Sequence, residues 1–525
     1  MQLLSQIAWS EDIIVHGPDV QISGITADSR EVKPGYLFIA VPGAKLDGTA
    51  FIGEAVAKGA VAVVVAKDAP LPLAGGVGGG LSPQDQQRPI GTSPPLIPPA
   101  SGGETLTAPH GITLLTAPDI RVAMSAIAAK FYTRQPENIV AVTGTSGKTS
   151  TAQITREIWQ AMGKTSASIG TLGLVTAKET RYGSLTTPDA IALHRLLDEC
   201  ATQGVTHLAM EASSHGIDLH RLDNVRLKAG GFTNLSRDHL DYHHTMEEYL
   251  AAKLRLFTHL LPSGATAVLN ADISEFAPLS DAARKRGLKV ISYGKNSSDI
   301  RLLDAVPDAK GQRLGVEIMG KKHDMLLPLI GSFQAWNALC ALGMVIGSGG
   351  EADKAIEGLE RITGVPGRLQ YVGASPKGGA VFVDYAHKPD ALDNVLRALR
   401  PHVEAHKGAK LGVAFGCGGN RDKGKRPIMG EIAARLADWV IITDDNPRHE
   451  DPASIRREIL AGCSVGNVQE IPDRSEAIDA GIARLGPGDV FVIAGKGHEH
   501  GQIIGDETLP FDDVEVARKV LAQLA

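Results

Sequence analysis

A glycine-rich loop at the end of a β-rich run is the sharpest chemical signal in the chain. The run Asn138–Thr143 leads into T-G-T-S-G-K-T-S, residues 143–150, and a helical pattern follows. Loop N–H groups and a helix dipole favour phosphate oxygens. Lys148 is placed to reach the β- and γ-phosphates of ATP, and the Thr149 hydroxyl is suited to Mg²⁺. Val142 stands where the standard pattern has a further glycine, so this is the shorter form of the loop.

Two further segments carry side chains that suit a cation. Glu211 comes just after a predicted strand, where α/β sheets hold their ligands, and it is able to bind a hard cation together with Thr149. Residues 233–244 (TNLSRDHLDYHH) are dense in His and Asp. They suit a polar loop or a zinc site, although no H-E-x-x-H pattern or cysteine partner accompanies them. Lys253 follows on the helical stretch Tyr249–Phe257, where a surface lysine lying along apolar neighbours is the alternative.

Alternating strand-like and helix-like segments must position these side chains from about residue 134 onward. This alternation predicts α/β layers with parallel sheets. A helix is predicted from Thr149 to Met162. The predicted buried strands are Asn138–Thr143, Val205–Met210, Ala265–Leu269, Ala380–Asp384, Lys410–Phe415, Trp439–Thr443 and Asp489–Ala494. Before residue 134 the patterns are shorter. They predict a helix near Phe51–Gly59 and strands at Ile22–Ile25, Tyr36–Val41 and Val61–Ala66.

Composition divides the chain further. Residues 70–110 are rich in Gly, Pro, Ser and Gln and contain no aromatic residue. Such a segment buries too little apolar surface to offset its ordering entropy, so we expect a disordered surface insertion. The turn sequence TGVPGR, residues 363–368, marks a second boundary. The sequence therefore predicts three domains, 1–133, 134–365 and 366–525.

The bulk composition excludes several classes of partner and location. The 525 residues are 43% hydrophobic and 21% charged, with a formal net charge of -6, so neither nucleic acid nor an acidic membrane is an expected partner. Four cysteines without a C-x-x-C pair fit a reducing compartment. The N-terminus lacks the pattern of a signal peptide, and no stretch has the ~20 apolar residues that cross a bilayer. We expect a cytoplasmic protein without membrane insertion.

Ten motifs in order identify a family. They are DSR at 28–30, TGTSGKTS at 143–150, TTP at 186–188, MEASSHGIDLHR at 210–221, NLSRDHLDYH at 234–243, GSFQAWN at 331–337, DYAHKPDAL at 384–392, FGCGGNRDKGKRP at 415–427, DDNPR at 444–448 and AGKGHE at 494–499. With these motifs the chain resembles the Mur ligases over almost its whole length, apart from residues 70–110. Each motif alone is modest support, but ten in family order are specific.

The resemblance implies a fold and a reaction. The fold is the three-domain α/β architecture of that family, with a precursor-binding N-terminal domain, a central P-loop ATPase-type parallel sheet and a Rossmann-like C-terminal domain. The reaction is an ATP-dependent amide-bond formation in peptidoglycan biosynthesis. It adds meso-2,6-diaminopimelate to UDP-N-acetylmuramoyl-L-alanyl-D-glutamate through an acyl phosphate and releases ADP and phosphate. Its partners are these two substrates and ATP, with Mg²⁺ as cofactor, and the protein is expected to act as a monomer.

The resemblance also assigns binding residues for the nucleotides and the metal. The UDP-precursor set is Ala27, Ser29, Ala44, Lys45, Leu46, Leu185, Thr186, Thr187, Ser213, Leu219 and Arg221. The ATP set is Gly144, Thr145, Ser146, Gly147, Lys148, Thr149, Ser150, Asn337 and Asp384. Mg²⁺ is assigned to Thr149, Glu211, His239 and a carbamylated Lys253 (N6-carboxylysine), because only the carbamate turns this side chain into an oxygen ligand. The catalytic set is Lys148, Lys253, Glu211 and His239.

The amino-acid pocket is assigned in the same way, and two positions depart from the family. The diaminopimelate set is Arg421, Asp445, Asn446, Pro447, Arg448, Gly495 and Glu499. Leu185 stands where many relatives have Asn, and Leu219 stands where many have Gln, so hydrogen bonds to the precursor differ there. His215 and His387 are candidates for proton handling, although histidines in polar loops commonly only form hydrogen bonds.

Three alternatives stay open at this point. The nearest is a lysine-adding ligase of the same family. Folylpolyglutamate synthase shares the loop but should lack the precursor domain and the D-N-P-R motif. A P-loop regulatory NTPase would hydrolyse ATP without an acceptor amino acid, and it would leave the polar motifs of the C-terminal third unexplained.

Overall fold

The computed structural model describes most of the chain and divides it into two compact units. The described residues are 1–8, 12–43, 47–69, 111–183, 185–308, 311–463 and 466–524. The predicted insertion at 70–110 and the residues Ala44, Lys45 and Leu46 lie outside them. One unit comprises Met1–Gln135, Asp189–Glu199 and Leu219–Val225, and the other comprises Pro136–Pro188, Cys200–Asp218 and Arg226–Ala525. Across the described ranges, no helix is long and apolar enough to cross a bilayer.

The first unit is built around a small mixed sheet. Its strands are β1 (Gln2–Leu3), β2 (Ile14–His16), β3 (Gln21–Ile22), β4 (Gly24–Thr26), β5 (Tyr36–Ile39), β6 (Ala60–Ala66) and β7 (Thr113–Ala117). Its helices are α1 (Leu4–Ile7), α2 (Ile52–Ala57) and α3 (Ile120–Phe131). The main sheet has the order β2-β7-β6-β5-β4, with β4 to β7 parallel and β2 antiparallel. Side chains alternate along these strands, so Leu37 and Phe38 enter cores on opposite faces.

One predicted strand of this unit is wrong in extent. The single strand expected at Ile22–Ile25 is two strands that break at Ser23. β3 pairs with β1, whereas β4 pairs with β5. Ser23 between them donates its backbone N–H and its hydroxyl to the carbonyls of Gly35 and Pro34, so it belongs to neither ladder.

The second unit begins with the central sheet. Its strands are β8 (Asn138–Thr143), β9 (Ser166–Gly170), β10 (Gly173–Thr176), β11 (Thr180–Arg181), β12 (His207–Glu211), β13 (Leu227–Phe232), β14 (Thr266–Asn270), β15 (Lys289–Gly294), β16 (Ile300–Asp308), β17 (Gly311–Ile318) and β18 (Lys321–Leu327). The helices in this stretch of sequence are α4 (Lys148–Ala161), α5 (Ala190–Thr202), α6 (Ser214–Asp218), α7 (Leu240–His243), α8 (Met246–Arg255), α9 (Phe276–Lys285), α10 (Ser332–Gly347) and α11 (Ala352–Leu359). Most of α5 belongs to the first unit.

The centre of this sheet is parallel and its edges are antiparallel. The strand order is β11-β10-β9-β12-β8-β13-β14-β15-β16-β17-β18, and the strands from β9 to β16 in that order run parallel. β8 is rich in β-branched residues and is buried on both faces, as a central parallel strand should be. The carboxyl ends of β8 and β12 therefore lie side by side and carry the glycine loop and Glu211.

The C-terminal part of the second unit holds another parallel sheet. Its strands are β19 (Gln370–Ala374), β20 (Ala380–Asp384), β21 (Leu411–Phe415), β22 (Trp439–Ile442), β23 (Val468–Glu470) and β24 (Val490–Ala494), followed by the hairpin β25 (Gly501–Ile504) and β26 (Glu507–Pro510). The helices are α12 (Pro389–Glu404), α13 (Lys425–Leu436), α14 (Pro452–Leu460), α15 (Arg474–Ala483) and α16 (Asp513–Leu524). The order is β19-β20-β24-β21-β22-β23, and only the edge strand β19 is antiparallel. Phe491 and Val492 enter separate cores on its two faces.

The α/β prediction with parallel sheets is confirmed, and most predicted strands agree to within two residues at each end. The helix predicted at Tyr249–Phe257 differs, because α8 ends at Arg255 and a π-helical turn follows from Leu256 to Leu260. The three large sheets fall within the three predicted domain ranges, and the boundaries at 133 and 365 stay predictions.

Candidate active site

The glycine loop is fitted so tightly that its conformation needs glycine at two positions. Gly144 and Gly147 have φ values of 146° and 85°, in the region that side chains avoid. A Cβ on Gly144 would lie 1.9 Å from the Thr233 hydroxyl, and one on Gly147 would lie 2.4 Å from Asn337 Oδ1. α4 begins directly after the loop, at Lys148. The loop therefore presents backbone N–H groups at a helix N-terminus, which is an anion site.

The segment after β13 holds this loop in place. The Thr145 N–H donates to the Asn234 carbonyl at 2.9 Å, and the Ser146 N–H donates to Asn234 Oδ1 at 2.9 Å. The Thr233 hydroxyl donates to the Ser146 carbonyl at 2.6 Å. These bonds join residues that are almost ninety positions apart in the sequence. Thr233 and Asn234, which follow β13, therefore hold the phosphate loop in place.

Two lysine amines meet at one carbonyl oxygen. Lys148 Nζ donates to the carbonyls of Gly144 and Thr145, both at 2.8 Å, and Lys253 Nζ donates to the Gly144 carbonyl at 2.9 Å. Lys253 is 1% exposed, and its Nζ lies 4.2 Å from the centre of the Tyr249 ring. Burial, helped by the nearby charge of Lys148, lowers the pKa of Lys253 to about 6. The Lys253 amine is therefore largely neutral at pH 7, and a neutral amine is nucleophilic.

Glu211 is the buried acid beside this loop. Its Oε1 accepts the Thr171 N–H at 2.7 Å, and the Thr171 hydroxyl lies 3.4 Å from Oε2 and 3.2 Å from the Thr186 hydroxyl. A Cβ on Gly170 would lie 2.1 Å from Oε1, so the carboxylate rests on bare backbone. Burial lowers the pKa of Lys148, and the Glu211 charge opposes that shift.

Part of the predicted precursor set converges on the same strand end. The Thr187 hydroxyl donates to the Glu211 carbonyl at 2.9 Å and accepts from the N–H and hydroxyl of Ser213, both at 3.0 Å. Thr186 and Thr187 are thereby held against the carboxyl end of β12, whereas Leu185 is exposed. Hydroxyl groups at this edge suit the polar end of an acceptor substrate.

The remaining predicted precursor residues belong to the first unit. The buried Ser29 hydroxyl donates to Glu54 Oε2 at 2.8 Å, and Ala27 is exposed after β4. Leu219 and Arg221 flank His220, whose Nδ1 lies 2.8 Å from Asp223 Oδ2. Ala44, Lys45 and Leu46, the rest of this set, lie outside the described residues.

Three histidines lie together beside the loop. His239 has a φ of 54°, and its ring centre lies 5.0 Å from that of His215, which is 5.5 Å from that of His243. Burial lowers the pKa of His239, and the charge of Asp238 opposes that shift. A neutral imidazole has a lone pair that is available to a metal.

Two of the predicted Mg²⁺ ligands offer the oxygen atoms that this ion prefers. Glu211 supplies a carboxylate and Thr149 a buried hydroxyl, whereas His239 supplies a ring nitrogen, and burial lowers the pKa of that imidazole. No cluster of three or more His, Cys, Asp or Glu side chains that could hold a metal occurs within the described ranges. Mg²⁺ commonly binds through one or two carboxylates together with phosphates and water, so this sparse set fits it.

The predicted adenine and ribose residues are both buried. Asn337, near the start of α10, donates from Nδ2 to Gln334 Oε1 at 3.0 Å. Asp384 ends β20, and its two oxygens accept the N–H groups of Leu369 at 2.6 Å and Ala386 at 2.8 Å. Burial raises the pKa of Asp384 to about 6, which the charge of Arg368 opposes. Asp384 thus also fixes the turn that begins the C-terminal sheet.

Two motifs of the C-terminal part are tied together by Asn446. Its Oδ1 accepts from Lys496 Nζ at 2.9 Å and from the Ile503 N–H at 3.0 Å, and its Nδ2 donates to Glu499 Oε2 at 3.0 Å. A Cβ on Gly495 would lie 2.8 Å from Asp445 Oδ2, so glycine lets the strand end approach that carboxylate. The segments 444–448 and 495–499 therefore form one polar pocket.

Two arginines lie beside a third segment of this pocket, at Gly418. A Cβ on Gly418 would lie 2.8 Å from Arg448 Nη1 and 3.8 Å from Arg421 Cγ. Arg448 has a φ of 52°, and its Nη1 donates to the Gly419 carbonyl at 3.0 Å. Pro447 fixes the backbone before it. The geometry brings the predicted diaminopimelate residues together, with cationic and anionic groups side by side.

Comparisons with known proteins identify the family. Residues 142–345 match the Mur ligase middle domain, 367–497 match "Mur ligase, glutamate ligase domain", and 21–91 match "Mur ligase family, catalytic domain". The UDP-N-acetylmuramoyl-L-alanyl-D-glutamate–2,6-diaminopimelate ligase of Bradyrhizobium diazoefficiens is 50% identical over 507 residues, which cover 96% of this chain and 95% of the relative.

This chain belongs to the Mur ligase family.

Other relatives agree with that assignment. The enzyme of the same name from Caulobacter vibrioides is 47% identical over 502 residues, 94% of each chain. A solved structure of a ligase with this name has a TM-score of 0.68 and 31% identity over 96% of this chain and 95% of its own. MurF from Acinetobacter baumannii, at 19% identity over 90% of each chain and a TM-score of 0.58, shares the Mur ligase fold. The fold prediction is thus confirmed.

Several side chains of this Mur ligase site were not selected from the sequence. Arg368 lies in the turn before β19, and its guanidinium is 4.7 Å from the centre of the Tyr385 ring. Thr171 holds Glu211, and Lys496 is fully buried against Asn446. Arg368 and Lys496 lie in TGVPGR and AGKGHE, so basic residues inside those motifs were the available signal. Thr171 lies in none of the ten motifs.

Proposed function

We propose that this chain is the ATP-dependent ligase that joins meso-2,6-diaminopimelate to the D-glutamyl γ-carboxylate of UDP-N-acetylmuramoyl-L-alanyl-D-glutamate. The relatives that match nearly its whole length carry that name. One observation in the structure supports the choice of amino acid. Arg421 and Arg448 flank Gly418, while Glu499 lies on the same network through Asn446. An amino acid with carboxylates and ammonium groups at both ends suits such a pocket.

Activation of the carboxylate comes first. A γ-carboxylate oxygen attacks the ATP γ-phosphorus, the bond to the β–γ bridging oxygen breaks, and an acyl phosphate and ADP form. The N–H groups at the start of α4 and Lys148 bind phosphate oxygens, because the N–H groups of Thr145 and Ser146 already donate to Asn234. This binding requires the Lys148 amine to leave the carbonyls of Gly144 and Thr145. Mg²⁺, held by Thr149, Glu211 and His239, would supply positive charge that offsets the repulsion between ATP and the carboxylate.

Lys253 supports this step as a carbamate. Its neutral amine adds to CO₂, forming an N–C bond and releasing a proton, and the product is an anion with two oxygen donors. The low pKa of Lys253 favours the addition, because only the unprotonated amine reacts. The carbamate would supply oxygen atoms that suit Mg²⁺. Lys253 and His239 would thus complete the predicted metal site.

The amino group of the amino acid completes the reaction. Its nitrogen attacks the acyl carbon, the C–O bond to phosphate breaks, and the nitrogen loses a proton. The pocket at 444–448 and 495–499 orients that nitrogen by binding the rest of the molecule. His387 is one candidate for accepting this proton, because burial lowers the pKa of its imidazole. Its Nδ1 lies 2.9 Å from the Tyr385 carbonyl oxygen. His215 is the other.

Other parts of the proposal follow the family. The residues assigned to the UDP-precursor by the family resemblance are Ala27, Ser29, Ala44, Lys45, Leu46, Leu185, Thr186, Thr187, Ser213, Leu219 and Arg221. ATP is bound by residues 144–150, Asn337 and Asp384. The enzyme acts in the cytoplasm as a monomer, without inserting into a membrane.

An ADP-release assay tests this function. ADP should form quickly only when ATP, the UDP-dipeptide and meso-diaminopimelate are all present, and omission of either acceptor should remove most of the rate. A panel with L-lysine, D-glutamate and glycine in place of diaminopimelate measures the choice of amino acid. Equal turnover of lysine would identify the lysine-adding ligase instead, and ADP release without any acceptor would identify a regulatory NTPase.

A further inference from the structure

Tyr182 and His500 are joined by a short hydrogen bond between distant parts of the chain. Tyr182 follows β11 at the edge of the central sheet, and His500 precedes β25. The Tyr182 Oη and His500 Nε2 atoms are 2.6 Å apart. Tyr182 is 55% exposed and the His500 side chain is 54% exposed, so neither fills a core. The bond is therefore a surface connection between two segments that are distant in sequence.

Asp512 orients His500 for this bond. Its Oδ2 lies 2.6 Å from His500 Nδ1, while its Oδ1 accepts the Val514 N–H at 2.7 Å at the start of α16. A carboxylate facing Nδ1 favours the proton on that nitrogen. It therefore leaves Nε2 free to accept the Tyr182 hydroxyl. Asp512, His500 and Tyr182 form a line of three fixed groups.

Tyr182 also contacts the other side of the amino-acid pocket. Its ring is stacked on that of His498, with centres 6.4 Å apart and planes at 8°, and His498 in turn lies 5.1 Å from Tyr385. Glu499 lies between these two histidines in the sequence, and its Oε2 accepts a hydrogen bond from Asn446 Nδ2. Tyr182 therefore touches the residues on both sides of Glu499 in the chain.

The backbone of Tyr182 packs against Gly173, the first residue of β10. A Cβ on Gly173, which has a φ of 76°, would lie 2.0 Å from the Arg181 carbonyl oxygen and 2.8 Å from Tyr182 Cα. Two residues before Gly173 is Thr171, which holds Glu211 and contacts Thr186. The β10–β11 hairpin thus spans from the acid at the phosphate loop to the histidines of the amino-acid pocket.

We propose that Tyr182 and His500 form a latch that positions the amino-acid loop, residues 495–499, against the hairpin beside Glu211 and Thr186. Tyr182 is a positioning residue for the attack of the amine, and this role rests on the proposed ligase function. Closing the latch brings Glu499 to a fixed place relative to the activated carboxylate. Opening it lets the amino acid enter and the product leave.

A double-mutant cycle tests the latch. Tyr182→Phe removes only the hydroxyl, and His500→Ala removes its acceptor. Each single variant should raise the KM for diaminopimelate by about three- to tenfold, the loss expected for one hydrogen bond, with the KM for ATP changed less than about twofold. The double variant should be no worse than the more damaged single variant. Tyr371→Phe is the matched control, because Tyr371 is equally exposed at 56% but contacts only Phe382 among the ring contacts of the described residues.

Three kinetic outcomes would overturn the latch. These are a Tyr182→Phe enzyme that behaves like Tyr371→Phe, multiplied losses in the double variant, or an equal rise in the KM of all three substrates. If His500→Ala lowers the thermal midpoint of unfolding, the result with Tyr182→Phe decides the test. This variant loses only the hydroxyl, and its exposed ring keeps its stacking.

A spectroscopic measurement separates failure of the latch from failure of the proposed function. Imidazole ¹⁵N shifts of His500, assigned with His500→Ala, should show an Nδ1–H tautomer with a hydrogen-bonded Nε2. The bonded shift should disappear in Tyr182→Phe and persist in Tyr371→Phe. If the wild type lacks ligase activity but shows this pattern, the ligase function fails while the bond stands. An unchanged spectrum in Tyr182→Phe would eliminate the latch whatever the activity.

Discussion

Two fully buried lysines of this Mur ligase have opposite surroundings. Lys253, in the central region, donates to a carbonyl that it shares with a second amine, that of Lys148. Lys496, in the C-terminal region, donates to Asn446 Oδ1 and has Glu499 Oε2 at 3.5 Å. Lys496 thus bridges an amide oxygen and a carboxylate of one pocket. A buried amine beside a carbonyl and another amine gives up its proton and becomes reactive.

The largest effect should come from removing the reactive amine. Lys253→Ala should lower kcat by about 10²- to 10³-fold or more, the cost of losing one group that stabilises transition-state charge. Circular dichroism should show an unchanged fold. With ¹³C-bicarbonate, the wild type should give a bound carbamate signal that Lys253→Ala lacks. A Lys253→Ala enzyme that stays active at ordinary CO₂ would contradict the role of Lys253 as a reactive amine.

The charged pocket of the C-terminal region should show the next largest effect. Arg448→Ala should reduce kcat/KM for diaminopimelate by about 100-fold, because a buried carboxylate of the substrate loses its cation. The loss should appear in the amino-acid KM and leave the KM for ATP near its wild-type value. Arg457→Ala, an exposed arginine on α14, is the control and should change little. Full diaminopimelate activity in Arg448→Ala would contradict the assignment.

Replacement of Lys496 and of Lys253 by methionine should change the free energy of unfolding in opposite directions. Lys496→Met removes the cation between Asn446 and Glu499, and we expect a loss of about 1 kcal/mol in the free energy of unfolding, since Glu499 stays partly exposed. Lys253→Met removes a buried amine while Lys148 still donates to the Gly144 carbonyl, so the free energy of unfolding should rise. Urea titrations in bicarbonate-free buffer measure both. Destabilisation of equal size by the two substitutions would erase the contrast.

The gain from Lys253→Met should also depend on pH. The pKa of Lys253 is about 6 in the folded chain and near its ordinary value of 10.5 when unfolded. Between these pH values the unfolded chain binds the extra proton, so wild-type stability rises with pH. The advantage of Lys253→Met should therefore be larger at pH 7 than at pH 9.5. The same pKa predicts that ligase activity falls as the pH drops through about 6, where the amine becomes protonated. An advantage that grows with pH would contradict this sign.

The sequence predicted what depends on local pattern. β8 occupies the predicted residues, and α4 begins within one residue of its prediction, because a β-branched run, two glycines and a helical pattern follow one another. The break at Ser23 was missed, since the two halves of that segment pair with different strands. Pairing partners are a property of the fold and are not visible in a single run of residues.

The candidate site was predictable only where a motif or the family resemblance indicates it. Lys148 and Glu211 lie in two of the ten motifs, whereas Lys253 lies outside them and was selected from the family resemblance; the structure places Lys148 and Lys253 at one carbonyl and Glu211 at a strand end. Thr171 and the bond of Tyr182 to His500 could not be predicted, since they join residues 40 and 318 positions apart without a recognisable pattern. The roles of the predicted ligands remain predictions until substrates are bound.

The position of Lys148 has a consequence for inhibitor design. Its amine is bonded to two carbonyls of its own loop, each at 2.8 Å, so these carbonyls compete with phosphate oxygens for the amine. A nucleotide mimic gains from this lysine only if it carries enough negative charge to displace it from both oxygens. Neutral compounds built on the adenine ring would leave Lys148 in place and should draw their affinity from the adenine and ribose contacts alone. Screening with uncharged fragments would therefore report on half of the nucleotide site.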